Sequence, residues 1–255
     1  MQLQETTNTN DFEISSSVWA IGADDKYRMM AVWQIIAELA KEASEVIGID
    51  VNMIDRIEIY DSVWIDNANE IPIAHNLLQI AKILNQLIDE LQDRQKALRC
   101  YGKLSHRIIC AIELDSLHTS LEKRAKELAV AYDPQELDGA ISMLREEGAK
   151  VEIFIIGSTT EAEVFDNCAY LYSGTEALRR VLGATETSDP AYQQTIAQKN
   201  PCCLFVGDRI YPVSCTTDSI RLIESGKRAI DLTDPTPPQP KTGFFQKIRG
   251  LAGGR

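Results

Sequence analysis

The segment that most constrains the fold is a short apolar run that ends at a glycine and is followed by a long helical pattern. Val18–Gly22 is apolar and typical of a buried strand, and apolar residues recur at helical spacing from Met29 onward. Strand, turn and helix in this order form the unit in which α/β proteins carry a phosphate-binding loop. The turn between Gly22 and Met29 is therefore predicted to lie at a functional edge of a sheet.

Short β-rich runs alternate with long helical runs along most of the remaining chain. Strands are predicted at Val18–Gly22, Arg56–Val63, Arg107–Glu113, Val151–Gly157, Cys168–Ser173, Cys202–Val206 and Arg209–Ser214. Helices are predicted at Met29–Ile47, Ile73–Leu98, Leu117–Ala131, Pro134–Glu147, Thr175–Leu182 and Pro190–Gln198. This alternation predicts an α/β fold, with a mostly parallel sheet flanked by helices on both faces and a final β-hairpin through Gly207-Asp208.

Ligands of such sheets bind outside the carboxyl ends of the strands. The Gly22 turn, the end of Arg107–Glu113 and the turn Gly157-Ser158-Thr159-Thr160 are therefore expected to share one edge. Polar and charged side chains at this edge are the first candidates for a site.

Three regions are predicted along the chain. Residues 1–12 are a polar, disordered lead, residues 13–232 form a single α/β domain, and residues 233–255 are a Pro-rich linker with a basic amphipathic tail. The tail is interpreted either as a partner-docking helix or as a frayed end, and both interpretations stay open. Its docking candidates are Phe244, Phe245, Lys247, Ile248 and Arg249.

The charge of the chain argues against free-standing DNA binding. With 26 basic and 38 acidic residues the formal net charge is −12, which disfavours contact with a phosphate backbone. DNA contact is expected only through an assembled ring that confines positive charge to a pore. No apolar run is long enough to span a membrane and Met1–Asn10 lacks a signal-peptide pattern, so a cytoplasmic location is expected. The cysteine and histidine spacing predicts no metal site.

Four further segments carry a resemblance to a known family. They are Asp89–Arg94, an acidic helix end; Ile108–Leu117, an apolar strand that ends in Glu113; Leu144–Thr160, a helix that turns into a polar-tipped strand; and Asn167–Tyr172. Together with the first strand and its turn, they resemble the motor domain of the FtsK/HerA family of ring-forming DNA-pumping ATPases, over roughly residues 14–232. The resemblance implies a P-loop NTPase (RecA-like) fold, and ATP and magnesium as cofactors.

The motifs of that family are altered here. The turn Gly22–Met29 places Tyr27, Arg28 and Met29 where the Walker A pattern has its second glycine, its lysine and its magnesium-binding hydroxyl. In the Walker B strand, Ile112 falls on the metal-binding aspartate and Glu113 on the water-activating residue. By this resemblance Glu113 is the candidate catalytic residue, and the candidates for nucleotide binding are Gly22, Asp25, Lys26, Arg28 and Thr159, with Arg179 and Arg180 as trans-acting arginines.

Each of these residues also has a simpler interpretation. Adjacent aspartates before a helix are usually N-terminal caps, a carboxylate at a strand end is usually solvated, and an arginine pair on a helix is usually exposed. The lysine, the hydroxyl and the metal ligand are lost together. This predicts weak or absent hydrolysis, because phosphoryl transfer needs both the groups that hold the phosphate and the metal ion. No cofactor is therefore expected, although ATP with magnesium is retained as an alternative.

Three functions follow from these patterns. The preferred one is a non-hydrolysing motor-domain relative that serves as an assembly or regulatory component in DNA segregation, conjugation or packaging, with a protein partner or homo-oligomer. The second is an atypical ATP-binding translocase, with Lys26 or Arg28 on phosphate and Glu113 as base. The third is a non-enzymatic α/β scaffold that docks a partner through its tail.

Overall fold

The computed structural model describes residues 14–23, 25–39, 44–51, 73–102, 104, 106–160, 168–173, 202–206 and 209–212. Its strands are β1 (Ser17–Ile21), β2 (Ser44–Ile49), β3 (Ile73–Ala74), β4 (Arg107–Glu113), β5 (Ile153–Thr159), β6 (Cys168–Ser173), β7 (Cys202–Val206) and β8 (Arg209–Pro212). Its helices are α1 (Asp25–Leu39), α2 (Leu77–Tyr101), α3 (Leu117–Leu128) and α4 (Pro134–Glu147), with a 3₁₀ turn at Gly148–Val151.

The strands form one sheet in the order β3-β2-β4-β5-β1-β6-β7-β8. The six strands from β3 to β6 in this order are parallel, and β7 and β8 continue the sheet in antiparallel pairing. The α/β fold and the closing hairpin that the sequence predicts are therefore confirmed.

Both faces of the central strands are buried, as expected for a parallel sheet covered by helices on two sides. On β4, Ile109 and Ala111 pack in the cluster that contains α1, whereas Ile108, Cys110 and Ile112 pack in the cluster that contains α2, α3 and α4. Successive side chains of a strand alternate between the faces, so the same alternation decides which side chains at the strand ends can meet.

The predicted helix Met29–Ile47 is wrong beyond its middle. Helix α1 begins earlier, at Asp25, and ends at Leu39, and the segment Ser44–Ile49 is the strand β2. This strand pairs with β4 from Ser44↔Arg107 to Ile49↔Ile112 and is buried along its whole length. Its β-branched residues Val46, Ile47 and Ile49 fit a pleated sheet, and pairing with β4 overrides the helical spacing that continues through the segment.

The other boundaries differ by a few residues. The predicted helix Ile73–Leu98 begins at Leu77, because Asn76 caps it and Ile73–Ala74 pairs with β2; it ends at Tyr101. The predicted helix Leu117–Ala131 ends at Leu128, whereas Pro134–Glu147 is confirmed with Asp133 as its cap. The strand predicted at Val151–Gly157 is Ile153–Thr159, so Gly157 lies within it rather than in a turn.

Some predictions lie outside the described residues. They are the strand Arg56–Val63, the helices Thr175–Leu182 and Pro190–Gln198, the turn Gly207-Asp208, and the regions 1–12 and 233–255. Among the helices that the structure describes, none combines the length and apolar character needed to cross a bilayer.

Gly157 permits the close contact between β5 and the indole ring of Trp19, its register partner on β1. A Cβ atom at position 157 would lie 2.8 Å from Cε2 of Trp19, a buried side chain that cannot move away freely. Gly157→Ala is therefore expected to destabilise the protein by about 1–3 kcal/mol through overpacking. The measurement is the midpoint of urea unfolding.

The matched control is Gly139→Ala in helix α4. No described atom lies within 4 Å of a Cβ at that position, and alanine is the better helix former, so this variant is expected to gain about 0.5–1 kcal/mol. Equal effects at the two positions would contradict the role of Gly157.

Candidate functional site

Three strand ends meet at one edge of the sheet, as the sequence predicts. The backbone N–H of Gly22, just after β1, donates to the carbonyl of Thr159 at 3.3 Å, and the N–H of Leu114, just after β4, donates to that of Ser158 at 2.8 Å. The first turn of α1 begins three residues after Gly22 and lies over this edge. The edge therefore brings together the β1 turn, the end of β4 and the end of β5.

The side chain of Arg28 fills the space between these ends. It lies in the first turns of α1 and is fully buried, which is rare for a charged side chain unless it is paired. Its Nε donates to Oγ of Ser158 at 2.8 Å, and Nη1 donates to the carbonyl oxygen of Gly22. Its Nη2 donates to Oδ2 of Asp115 at 3.1 Å and lies 3.4 Å from Oε1 of Glu113.

Strand alternation explains why Glu113 and Ser158 reach Arg28. They are register partners on β4 and β5 and point to the face that α1 covers, whereas Ile112, one residue earlier, points into the opposite core. Met29 also lies at this point, and Oγ of Ser158 lies 3.7 Å from its Sδ. Neither Ile112 nor Met29 offers an oxygen ligand for magnesium.

Asp115 connects this cluster to the end of β5. Its Oδ1 accepts from Oγ1 of Thr159 at 2.9 Å, and its carboxylate accepts from the backbone N–H of Thr160 at 3.0 and 3.1 Å. Its own N–H donates to Oε1 of Glu113 at 3.2 Å. Asp115 is not among the site residues predicted from the sequence, although a carboxylate two residues past a buried strand at the predicted edge is a signal that could have identified it.

The oxygen atoms around the Arg28 guanidinium form a site that suits a cation. Arg28 contributes one positive charge, and its contacts described above are with four oxygens, two of them on carboxylates. Because a buried charge is costly without a partner, the buried guanidinium and the buried Glu113 carboxylate stabilise one another, and the partly exposed Asp115 adds a second ion pair. We call Arg28, Gly22, Ser158, Glu113 and Asp115 the guanidinium cluster.

The structure brings together four of the predicted site residues, namely Gly22, Arg28, Glu113 and Thr159. Asp25 and Lys26 lie in the first turn of α1, but their side chains are outside the described part. Arg179, Arg180 and the tail residues Phe244, Phe245, Lys247, Ile248 and Arg249 also lie outside it. Their roles, and the catalytic role of Glu113, stay predictions.

A cleft of about 780 Å³ opens on the opposite face of the same edge. It is lined by Trp19 and Thr159 of the sheet, by the segment that leads into α3, and by the face of α4 from Asp138 to Arg145. The guanidinium of Arg145 lies 5.7 Å from the centre of the Trp19 ring and Nη2 of Arg145 donates to Oγ of Ser142 and to Glu146. The cleft shares Asp115 with the guanidinium cluster and is not predicted from the sequence.

Within the part of the chain that the structure describes, two ionisable groups have a strongly raised pKa. Burial is the main cause for Tyr132, whose pKa rises to about 12 with a further contribution from the carboxylates of Asp138, Glu122 and Asp133. Burial alone raises the pKa of the Cys110 thiol to about 12, so this cysteine is protonated and inert at neutral pH. Cys110 and Cys202 are buried free thiols, whereas Cys100 is exposed. No group of three metal-ligating side chains occurs among the residues that the structure describes.

Comparison with known proteins identifies a shared fold. No protein-family model matches the sequence, and no curated protein matches it. A solved structure of the pCW3 conjugation coupling protein TcpA, in its monomer form with ATPγS, is similar with a TM-score of 0.51 and 15% sequence identity. The match covers 78% of this chain and 59% of that one, so this chain corresponds to only part of the coupling protein. The likeness supports a P-loop NTPase-like α/β fold.

Proposed function

We propose that this chain is a non-hydrolysing relative of FtsK/HerA-type motor domains that serves as an assembly or regulatory component of a DNA-handling machine. The observation that carries the proposal is the buried guanidinium of Arg28, bonded to the ends of β1, β4 and β5. Arg28 stands at the position that the motif comparison aligns with the phosphate-binding lysine, and its charge is directed inward.

A bound triphosphate fits this set of groups poorly. A phosphate-binding loop offers backbone N–H groups, a lysine and a metal-bound hydroxyl to the phosphate oxygens. Here the cluster directs two carboxylates, a carbonyl and a hydroxyl oxygen toward the same point. An anion that displaced the guanidinium would face two like charges at short range, which is unfavourable in a buried site. This mismatch supports loss of nucleotide binding.

The same residues also provide poor ligands for magnesium. The aligned metal-binding position is Ile112, which is buried among apolar side chains of the opposite face, and the aligned hydroxyl is replaced by Met29. The Glu113 carboxylate pairs with Arg28 and accepts a hydrogen bond from the backbone N–H of Asp115. These contacts support the interpretation that Glu113 closes the site rather than activating water.

The wider role rests on the fold likeness. TcpA is a conjugation coupling protein, and its similarity supports a DNA-handling setting for this chain. A subunit whose strand ends are joined by its own arginine holds that edge together without a ligand, which suits a structural or regulatory member of an assembly. An oligomer or a protein partner is part of the proposal.

Thermal unfolding with ATP and magnesium tests the nucleotide part. A ligand that binds only the folded state raises its stability by about 2.7 kcal/mol at a hundredfold excess over Kd. We expect the unfolding temperature of this protein to stay constant up to millimolar ATP, ADP or ATPγS, each with magnesium. TcpA, whose structure holds ATPγS, is the positive control in the same buffers.

A concentration-dependent rise in the unfolding temperature would overturn the proposal and favour the atypical ATPase. The assembly part is tested separately by sedimentation velocity over a range of protein concentrations and with the tail 241–255 deleted. The scaffold function would be favoured instead if the protein stays monomeric at every concentration and binds a partner that it loses when the tail is deleted.

A further inference from the structure

The cleft beside the guanidinium cluster is large and carries apolar side chains on each of its sides. Trp19 of β1, Leu117 at the start of α3 and Ile141 of α4 all line it. Its volume of about 780 Å³ lies within the range of about 300–1,000 Å³ that is typical of ligand pockets. The cleft therefore has room for more than one aromatic side chain of an occupant.

Polar groups in the cleft already bond to one another. Nε2 of His118 lies 2.9 Å from Oδ1 of Asp138, and Nδ1 lies 2.7 Å from the hydroxyl of Tyr132. On the other wall, Nη2 of Arg145 donates to Oγ of Ser142 at 2.9 Å. An occupant that buries apolar side chains of its own therefore gains more than one that seeks new polar contacts.

The solvent side of the α4 wall is acidic. The side chain of Asp138 is 62% exposed and that of Glu146 is 52% exposed. Arg145, the cation of the same wall, is only 11% exposed and pairs with Glu146. An occupant with positive charge would meet exposed carboxylates at this rim, which favours a basic partner segment.

The segment 241–255 of this chain has the matching chemistry. It contains four basic residues and no acidic one, although the chain as a whole has a formal net charge of −12. Phe244, Phe245, Ile248 and Leu251 recur at the spacing of one helix face. This is the pattern of apolar anchors with which an amphipathic helix binds a groove.

The last strands bring the chain back to the edge where the cleft opens. Strand β6 is parallel to β1, and two antiparallel pairings follow, so β8 runs in the direction of β1 and ends at the same edge. Three strand spacings separate β8 from β1, which is about 15 Å. The chain between Pro212 and Lys241 has a root-mean-square span of about 30 Å if it is flexible, so it is long enough to reach the cleft.

We propose that the segment 241–255 docks in the cleft between α3 and α4 of its own molecule, with Phe244 and Phe245 inside and its basic residues at the acidic rim. The proposal rests on the cleft, the charges and the direction of β8, and it does not depend on the proposed function. A partner that binds the same phenylalanines would compete with the cleft for them.

Photo-crosslinking on the full chain locates the segment. A photoreactive phenylalanine analogue at position 245 is expected to form cross-links within one molecule to residues 114–119 or 138–145, identified by mass spectrometry. Mixing isotope-labelled and unlabelled protein separates these from cross-links between molecules. The control is the same analogue at position 246, which a helix turns away by about 100° and which is expected to label the cleft weakly.

Cross-links from position 245 that fall only elsewhere in the chain, only between molecules, or nowhere would overturn the proposal. Equal labelling of the cleft from positions 245 and 246 would also contradict it, because the phenylalanine would then have no defined place in the cleft.

Hydrogen exchange on the full chain gives a second test. In a Phe244→Ser, Phe245→Ser double variant, backbone amides at the start of α3 and in the α4 wall are expected to exchange at least about tenfold faster, since burial of even one phenylalanine is worth a factor of that size. Gln246→Ser is the matched control and is expected to leave exchange unchanged. The Asn76-capped start of α2 is the internal reference. Unchanged exchange at the cleft in the double variant would count against docking, as would an equal change at the start of α2.

Discussion

The Arg28→Met variant is expected to lose about 3–5 kcal/mol of folding free energy, the cost of removing one partner from a buried ion pair. Methionine keeps much of the side-chain volume but leaves Glu113 and Asp115 facing each other without the guanidinium. The measurement is urea unfolding at neutral pH, with guanidinium salts avoided as denaturant because they carry the missing group.

Two companions separate charge from packing. Glu113→Gln and Asp115→Asn, added to Arg28→Met, remove the two carboxylate charges and are expected to recover part of the loss, so the effects are not additive. Millimolar methylguanidine is expected to stabilise an Arg28→Ala variant and not the unaltered protein. A loss below about 1 kcal/mol for Arg28→Met, the range of an exposed pair, would contradict the guanidinium cluster.

The Arg94→Leu variant is expected to lose about 2–4 kcal/mol of folding free energy, because it removes the donor from buried hydrogen-bond acceptors. Arg94 is 7% exposed, lies on α2 and bonds Oε1 of Glu90 at 2.8 Å. Its Nη1 donates to the backbone carbonyls of His106 and of Val151, just before β4 and β5. One side chain therefore joins a helix to the starts of two neighbouring strands. Urea unfolding measures the loss.

Lys96→Ala is the matched control two residues further along α2. Lys96 pairs with Asp93 at 2.9 Å, but both side chains are about 70% exposed, so the change is expected to stay within about 0.5 kcal/mol. Similar losses for the two variants would show that Arg94 acts as an ordinary surface charge. The segment Asp89–Arg94, selected for its family resemblance, thus contains a residue with a clear structural contact.

Much of the fold could be predicted because local patterns and tertiary packing agree. The strands Arg107–Glu113, Cys168–Ser173 and Cys202–Val206 have the predicted bounds, since each is a compact apolar run. The strand β2 could not be separated from helix α1, because its apolar residues continue the helical spacing and only pairing with β4 reveals it. Periodicity reports local geometry, whereas pairing depends on residues far along the chain.

The site could be predicted in position but not in chemistry. Sequence reasoning placed Gly22, Glu113 and Thr159 at one edge, because the carboxyl ends of parallel strands meet. Arg28 is predicted from the sequence as a candidate for nucleotide binding, and in the structure its side chain turns toward the ends of β1, β4 and β5. That direction depends on Asp115, just after β4, and on Ser158 of β5, which lie far along the chain from Arg28, and no local pattern contains their distance from Arg28.

The position of β1 in the sheet has a consequence for how the chain folds while it is being synthesised. The first described strand, β1, lies between β5 and β6, so Val18 pairs with Ile156 and Ala169 and has no sheet partner until those residues are made. At synthesis rates of about 5–20 residues per second, the apolar strand β1 remains without its sheet partners for several seconds while the chain is synthesised. Contacts of such long sequence separation also slow folding itself. Newly made chains are therefore expected to need protection from aggregation during translation, and a shortened chain that ends before β5 leaves its first strand without a sheet partner.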